Sequence, residues 1–138
     1  MKKMIIAFSA LALVFTSCKK DEESKAVTPT KENLTGTWMI TSMKLGNATG
    51  SMDIFSTFDA CQKDDKYLLN ADLSYAVEDA GTKCDPDGGY TGGTWALTNA
   101  TTIDLDGEVN TIDSFDGKTL VASVDQGGAK LTTTYVKQ

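Results

Sequence analysis

Residues 34–43 read Leu-Thr-Gly-Thr-Trp-Met-Ile-Thr-Ser-Met, and residues 90–99 read Tyr-Thr-Gly-Gly-Thr-Trp-Ala-Leu-Thr-Asn. The triplet Gly-Thr-Trp therefore occurs twice, at Gly36-Thr37-Trp38 and Gly93-Thr94-Trp95, in a chain with two tryptophans. Around both, side chains alternate. Trp38 and Ile40 fall on one face, with Thr37, Met39 and Thr41 on the other; Trp95 and Leu97 oppose Thr94 and Thr98. A period of two is that of a half-buried strand. Each triplet is predicted to open a strand. Glycine turns the chain in, threonine faces solvent and favours the extended backbone, and tryptophan buries a large apolar area. The triplets lie 57 positions apart with no further likeness around them, so they do not mark a duplicated domain.

The same reading extends in both directions. Residues 66–70 and 71–79 read as two strands joined near Asn70 to Leu73, and Ile103 and Leu105 are predicted inward against Thr102 and Asp104. Further strands fall in 110–115, 118–124 and 130–136, divided by Asp116-Gly117 and Gly127-Gly128, dipeptides that suit tight hairpin turns. Connections this short leave no room for helical crossovers, so neighbours are antiparallel. About eight short strands at regular spacing imply an all-β barrel or sandwich. Residues 44–65 fit either a further strand around Met52 to Phe58 or a lid over a barrel mouth.

The N-terminus is of another kind. Lys2 and Lys3 precede an apolar run from Met4 to Phe15, too short for a spanning helix and suited to the core of a signal peptide. The Phe15-Thr16-Ser17-Cys18 that follows resembles a bacterial lipobox. That resemblance implies a signal peptide at 1–17, cleavage before Cys18 and acylation of this cysteine. Two or more acyl chains suffice for stable anchoring, at about 0.8 kcal/mol per buried CH₂. Lys19, Lys20, Asp21, Glu22 and Glu23 then resemble the export signal of lipoproteins displayed on the outer face of Gram-negative outer membranes. They also fit a solvated charge run in a tether over 18–33. The expected location is the outer membrane, held by lipid and exposed at the cell surface.

Removing Lys2 and Lys3 from thirteen basic residues leaves eleven against nineteen acids, a formal charge of −8 for residues 18–138. With no basic face to offer, the chain is not expected to bind nucleic acid. Beyond Cys18, Cys61 and Cys84 remain, and an even pair in an exported domain reads as a disulfide. A metal pair would need two further ligands, and the chain has no histidine.

Several of these features together bear a resemblance. Leu34-Thr35-Gly36-Thr37-Trp38 looks like the Gly-x-Trp signature of lipocalins. Cys61-Gln62-Lys63-Asp64-Asp65, a hydrophobic strand, a second cysteine at Cys84, the second Gly-Thr-Trp and the terminal Thr132-Thr133-Thr134-Tyr135-Val136-Lys137 resemble the bacterial lipocalin-like lipoproteins. The resemblance runs over 34–138. It implies an antiparallel up-and-down β-barrel of about eight strands, with Trp38 across its closed end and a small hydrophobic ligand within. The sequence departs from the subfamily at Asn70-Ala71-Asp72-Leu73-Ser74, where a glycine is usual.

Chemistry is sparse. Without histidine, Ser-His-Asp, Cys-His and His-metal sites are excluded. Lys63-Asp64-Asp65 fits turn capping. Asp85 and Asp87, and Asp104, Asp106 and Glu108, resemble fragments of calcium loops but fall short of a full ligand set. Asp104 and Asp106 are expected on one solvent-facing side of a strand. No catalytic residue, metal or cofactor is assigned. Binding remains: the barrel interior, lined by Trp38, Ile40, Tyr67, Leu69, Tyr75, Trp95 and Leu97, either holds a small hydrophobic ligand or is filled by those side chains. In the second case the chain is a surface interaction module, using exposed aromatics such as Tyr90, or a structural envelope protein.

Overall fold

Alternating Val, Ile, Thr, Tyr and Trp between turn residues give nine strands among the described residues: β1 (Gly36–Asn47), β2 (Gly50–Asp53), β3 (Lys66–Leu69), β4 (Ser74–Glu78), β5 (Tyr90–Asn99), β6 (Thr102–Leu105), β7 (Glu108–Phe115), β8 (Thr119–Asp125) and β9 (Lys130–Lys137). The structure is a computed structural model and describes residues 25–85 and 88–138. The expected signal peptide, Cys18 and the charged run Lys19 to Glu23 lie outside the described residues, as does Asp87.

All strand pairs are antiparallel, in the order β2-β1-β3-β4-β5-β6-β7-β8-β9, and β1 also pairs with β9. That last pairing, from Trp38↔Lys137 to Gly46↔Lys130, closes eight strands into an up-and-down barrel. The ninth strand, β2, folds back on the far half of β1, with Leu45 opposite Met52. Residues 44–65, open between strand and lid in the sequence, are thus the end of β1, the short β2, a 3-10 turn at Phe55–Thr57 and the one-turn helix α2 (Ala60–Lys63). A second one-turn helix, α1 (Lys31–Leu34), precedes β1; its Thr30 hydroxyl accepts from the Asn33 N–H at 3.3 Å. Within the expected tether, the Val27 N–H donates to the Phe115 carbonyl at 2.8 Å.

The first Gly-Thr-Trp opens β1 as expected, with Gly36 at φ 142°. The second does not open a strand. β5 starts three residues earlier at Tyr90, and the register slips between Tyr75 and Ala76 so that Gly92, at φ 104°, is the extra residue of a bulge. Gly93 is needed for closeness rather than for a turn. A Cβ there would lie 2.9 Å from the Tyr75 ring and 2.9 Å from Asp106 Oδ1.

The core sits at one end. Leu34, Trp38, Leu69, Trp95, Ile103, Ile112, Phe115 and Leu120 form one cluster, both tryptophans 1% exposed. Each indole N–H is spent on a backbone carbonyl at 2.9 Å: Trp38 on Leu34 at the end of α1, Trp95 on Asn70 in the β3–β4 turn. Above Trp38, Lys137 Nζ lies 5.3 Å from the ring centroid and donates to the Asn33 carbonyl at 2.7 Å, which shuts this end. Core and closure both come from within the described residues, which is what a self-sufficient folding unit requires.

Candidate functional site

Because neighbouring strands are antiparallel, the plug takes the starts of some and the ends of others, Trp38 early in β1 and Leu69 and Phe115 at the ends of β3 and β7. Met43, Tyr75, Val77, Tyr90, Leu105, Asp106, Glu108, Asn110, Val124, Leu131, Thr133 and Tyr135 line an open cup of about 510 Å³. Below it a void of about 10 Å³, bounded by Trp38, Tyr67, Leu69, Tyr75, Leu105, Leu120 and Tyr135, separates cup from plug. It is at the lower limit for one water. Tyr67 and Tyr135 pack edge to face, centroids 5.8 Å apart, and form the floor. Tyr75 and Tyr90, 6.4 Å apart, form one wall. Burial pushes the Tyr75 and Tyr135 hydroxyls above the usual phenol value; both are neutral donors and acceptors at any physiological pH.

The rim is acidic. β6 ends at Leu105, and Asp106-Gly107, with φ 57° and 86°, make the two-residue hairpin to β7. This turn corrects the expectation that Asp106 shares a solvent face with Asp104. Asp104 Oδ1 accepts from the Gly107 N–H at 2.7 Å and serves the turn, whereas Asp106 swings to the cup mouth and accepts from the Tyr90 hydroxyl at 2.9 Å. Glu108 lies two residues on and also lines the cup. Among the described residues no group of three or more His, Cys, Asp or Glu is placed to hold a metal ion.

Of the residues singled out in the sequence, Tyr75 lines the cup. Trp38, Tyr67 and Leu69 bound the small void beneath it, and Ile40, Trp95 and Leu97 line neither. Cys61 and Cys84 form a disulfide, Cα atoms 5.2 Å apart, that ties α2 to the loop after β4. Beside it Asp64 Oδ2 accepts from the Thr82 N–H at 2.9 Å, and the buried Asp79 carboxylate accepts from the N–H groups of Cys84 and Asp85. The acidic residues around the disulfide thus order a loop.

Residues 34–122 match the family model of the lipocalin-like domain. The chain belongs to that family. The match covers the plug, the disulfide and the strands β1 to β7, and stops within β8. No curated protein and no solved structure matches the chain. In this lipocalin-like domain the barrel is plugged at one end and holds the open cup at the other.

Proposed function

We propose that the protein is a non-catalytic outer-membrane lipoprotein whose barrel holds a small hydrophobic molecule in the cup. The observation that carries this reading is the cup itself. Its size lies in the range of ligand pockets, roughly 300–1,000 Å³, and its wall mixes aliphatic and aromatic side chains with polar groups at Asp106, Glu108, Asn110 and Thr133. The filled-barrel alternative describes the lower half of the molecule, where the tryptophan plug leaves no space; the upper half is open. Family membership supports binding over catalysis.

The test is a titration with N-phenyl-1-naphthylamine, a neutral apolar fluorophore that brightens on leaving water. The barrel should bind it saturably with one site, and Leu105→Trp, which fills the cup, should abolish binding while the circular dichroism spectrum is retained. Unaltered binding by that variant would place the ligand elsewhere.

The location rests on the lipobox resemblance at Cys18 and on the acids that follow. Cys18→Ala should move the protein from the membrane to the soluble fraction of cells. Changing Asp21, Glu22 and Glu23 to alanine should protect it from protease added outside. A membrane-bound Cys18→Ala protein would overturn the anchor, and undiminished cleavage would overturn the export signal.

A further inference from the structure

The polar part of the cup is one-sided in charge. Its lining carries two carboxylates, Asp106 and Glu108, and no lysine or arginine. Neither carboxylate has a basic partner: the one ion pair among the described residues joins Lys130 to Asp113 elsewhere. Asp106 is held by the Tyr90 hydroxyl, and Glu108 has only a 3.4 Å contact from the Gln126 amide. A third acceptor lies between these rim groups and the floor. Asn110 is 8% exposed, lines the cup, and spends its amide N–H on the Glu108 carbonyl, leaving Oδ1 on the wall without a hydrogen bond. This oxygen opens into the cup, where a ligand donor can take the place of solvent as its partner.

We infer that the cup selects an apolar molecule with a cationic head, an alkyl or aryl amine whose ammonium group is held at the mouth by Asp106 and Glu108. This rests on the cup being the binding site. Apolar walls bounded by carboxylates of one sign focus a negative field into the opening, attracting an ammonium and repelling a fatty carboxylate. The field reaches inward: after burial and the neighbouring tyrosines, Asp106 adds to the upward shift of Tyr75, and Glu108 to that of Tyr135. An ammonium supplies three donors for the carboxylates and for Asn110, whereas a carboxylate head supplies none.

Calorimetric titration of the oxidised 25–138 barrel with decylamine, decanol and decanoate at pH 7, below their aggregation limits, tests the idea. Decylamine should bind tightest and decanoate weakest, the two differing about tenfold, as expected of two rim charges. In Asp106→Asn/Glu108→Gln the ratio should fall to near one. Asparagine tolerates the positive φ of position 106, so the turn survives the change. Equal binding of all three, or tighter decanoate, would overturn the cationic head while leaving the cup as the site. A preference that persists in the double variant would overturn the assignment to these carboxylates. No binding of any probe would overturn the cup reading, and the inference with it.

Discussion

Trp38 does three things at once. It fills the barrel end, donates to the Leu34 carbonyl and lies under Lys137. Trp38→Phe removes the donor, leaves a buried carbonyl unpaired and opens a cavity; stability should fall by about 2–4 kcal/mol in urea denaturation. Asp65 behaves oppositely. Burial pushes its carboxyl above the ordinary value of 3.8, Asp79 and Asp64 add to this, and Lys83 opposes it. A carboxyl raised in the folded state favours folding only while protonated. Its ionised form therefore costs stability as pH rises past 3.8 through the folded value. Asp65→Asn should raise Tm at pH 7 by a few degrees, with the gain vanishing below pH 3.8, as thermal scans across pH will show. The tryptophans were legible in the sequence because a period of two assigns a face. The Asp65 environment was not, because Asp79 and Lys83 reach it only through the loop that the disulfide ties down.

At the scale of elements, turns and cross-links set the register. Leu73 sits at φ 71° in the β3–β4 turn, where its N–H donates to the Asn70 carbonyl. A leucine in the left-handed region costs about 1–2 kcal/mol, and this one is 37% exposed, so its burial offsets little. Glycine costs about 0.5–1 kcal/mol in unfolded-chain entropy. Leu73→Gly should therefore leave stability level or raise it by up to about 1 kcal/mol. The sequence departs from the resembled subfamily over residues 70–74, where a glycine is usual, and within that stretch Leu73 holds a left-handed backbone that suits glycine. The Cys61–Cys84 bridge closes a separation of 23 residues. Replacing both cysteines by serine should cost about 3 kcal/mol, seen as a lower urea midpoint with an unfolded state that is less compact. The second Gly-Thr-Trp shows where strand reading fails. Residues 90–92 carry glycine, a poor strand former, yet β5 runs through them, with Gly92 at φ 104° as the extra residue of the bulge.

Over the whole molecule, alternation revealed which side chains face the barrel axis but not how deep along it each one lies. Depth is set by strand tilt and stagger, which short periodic segments do not encode. Hence Trp38, Trp95 and Leu69 belong to the plug and Tyr75 to the cup, although all four share the inward phase. Asp106 is the first residue of a two-residue hairpin turn and Glu108 the first of the strand after it; the acids that resemble a calcium-loop fragment in the sequence build this turn. The closing β1–β9 pair, which sets Ile40 opposite Tyr135, 95 positions further along the chain, follows only from the need to leave no bare sheet edge. The measurement that bears most directly on the hollow, ligand-holding barrel is native against denaturing mass spectrometry of the protein purified from the cells that make it. The account predicts a mass excess in the native spectrum that is lost on denaturation and absent from Leu105→Trp. A native mass equal to the denatured mass of the same covalent chain, unchanged after exposure to a cell lipid extract, would contradict it.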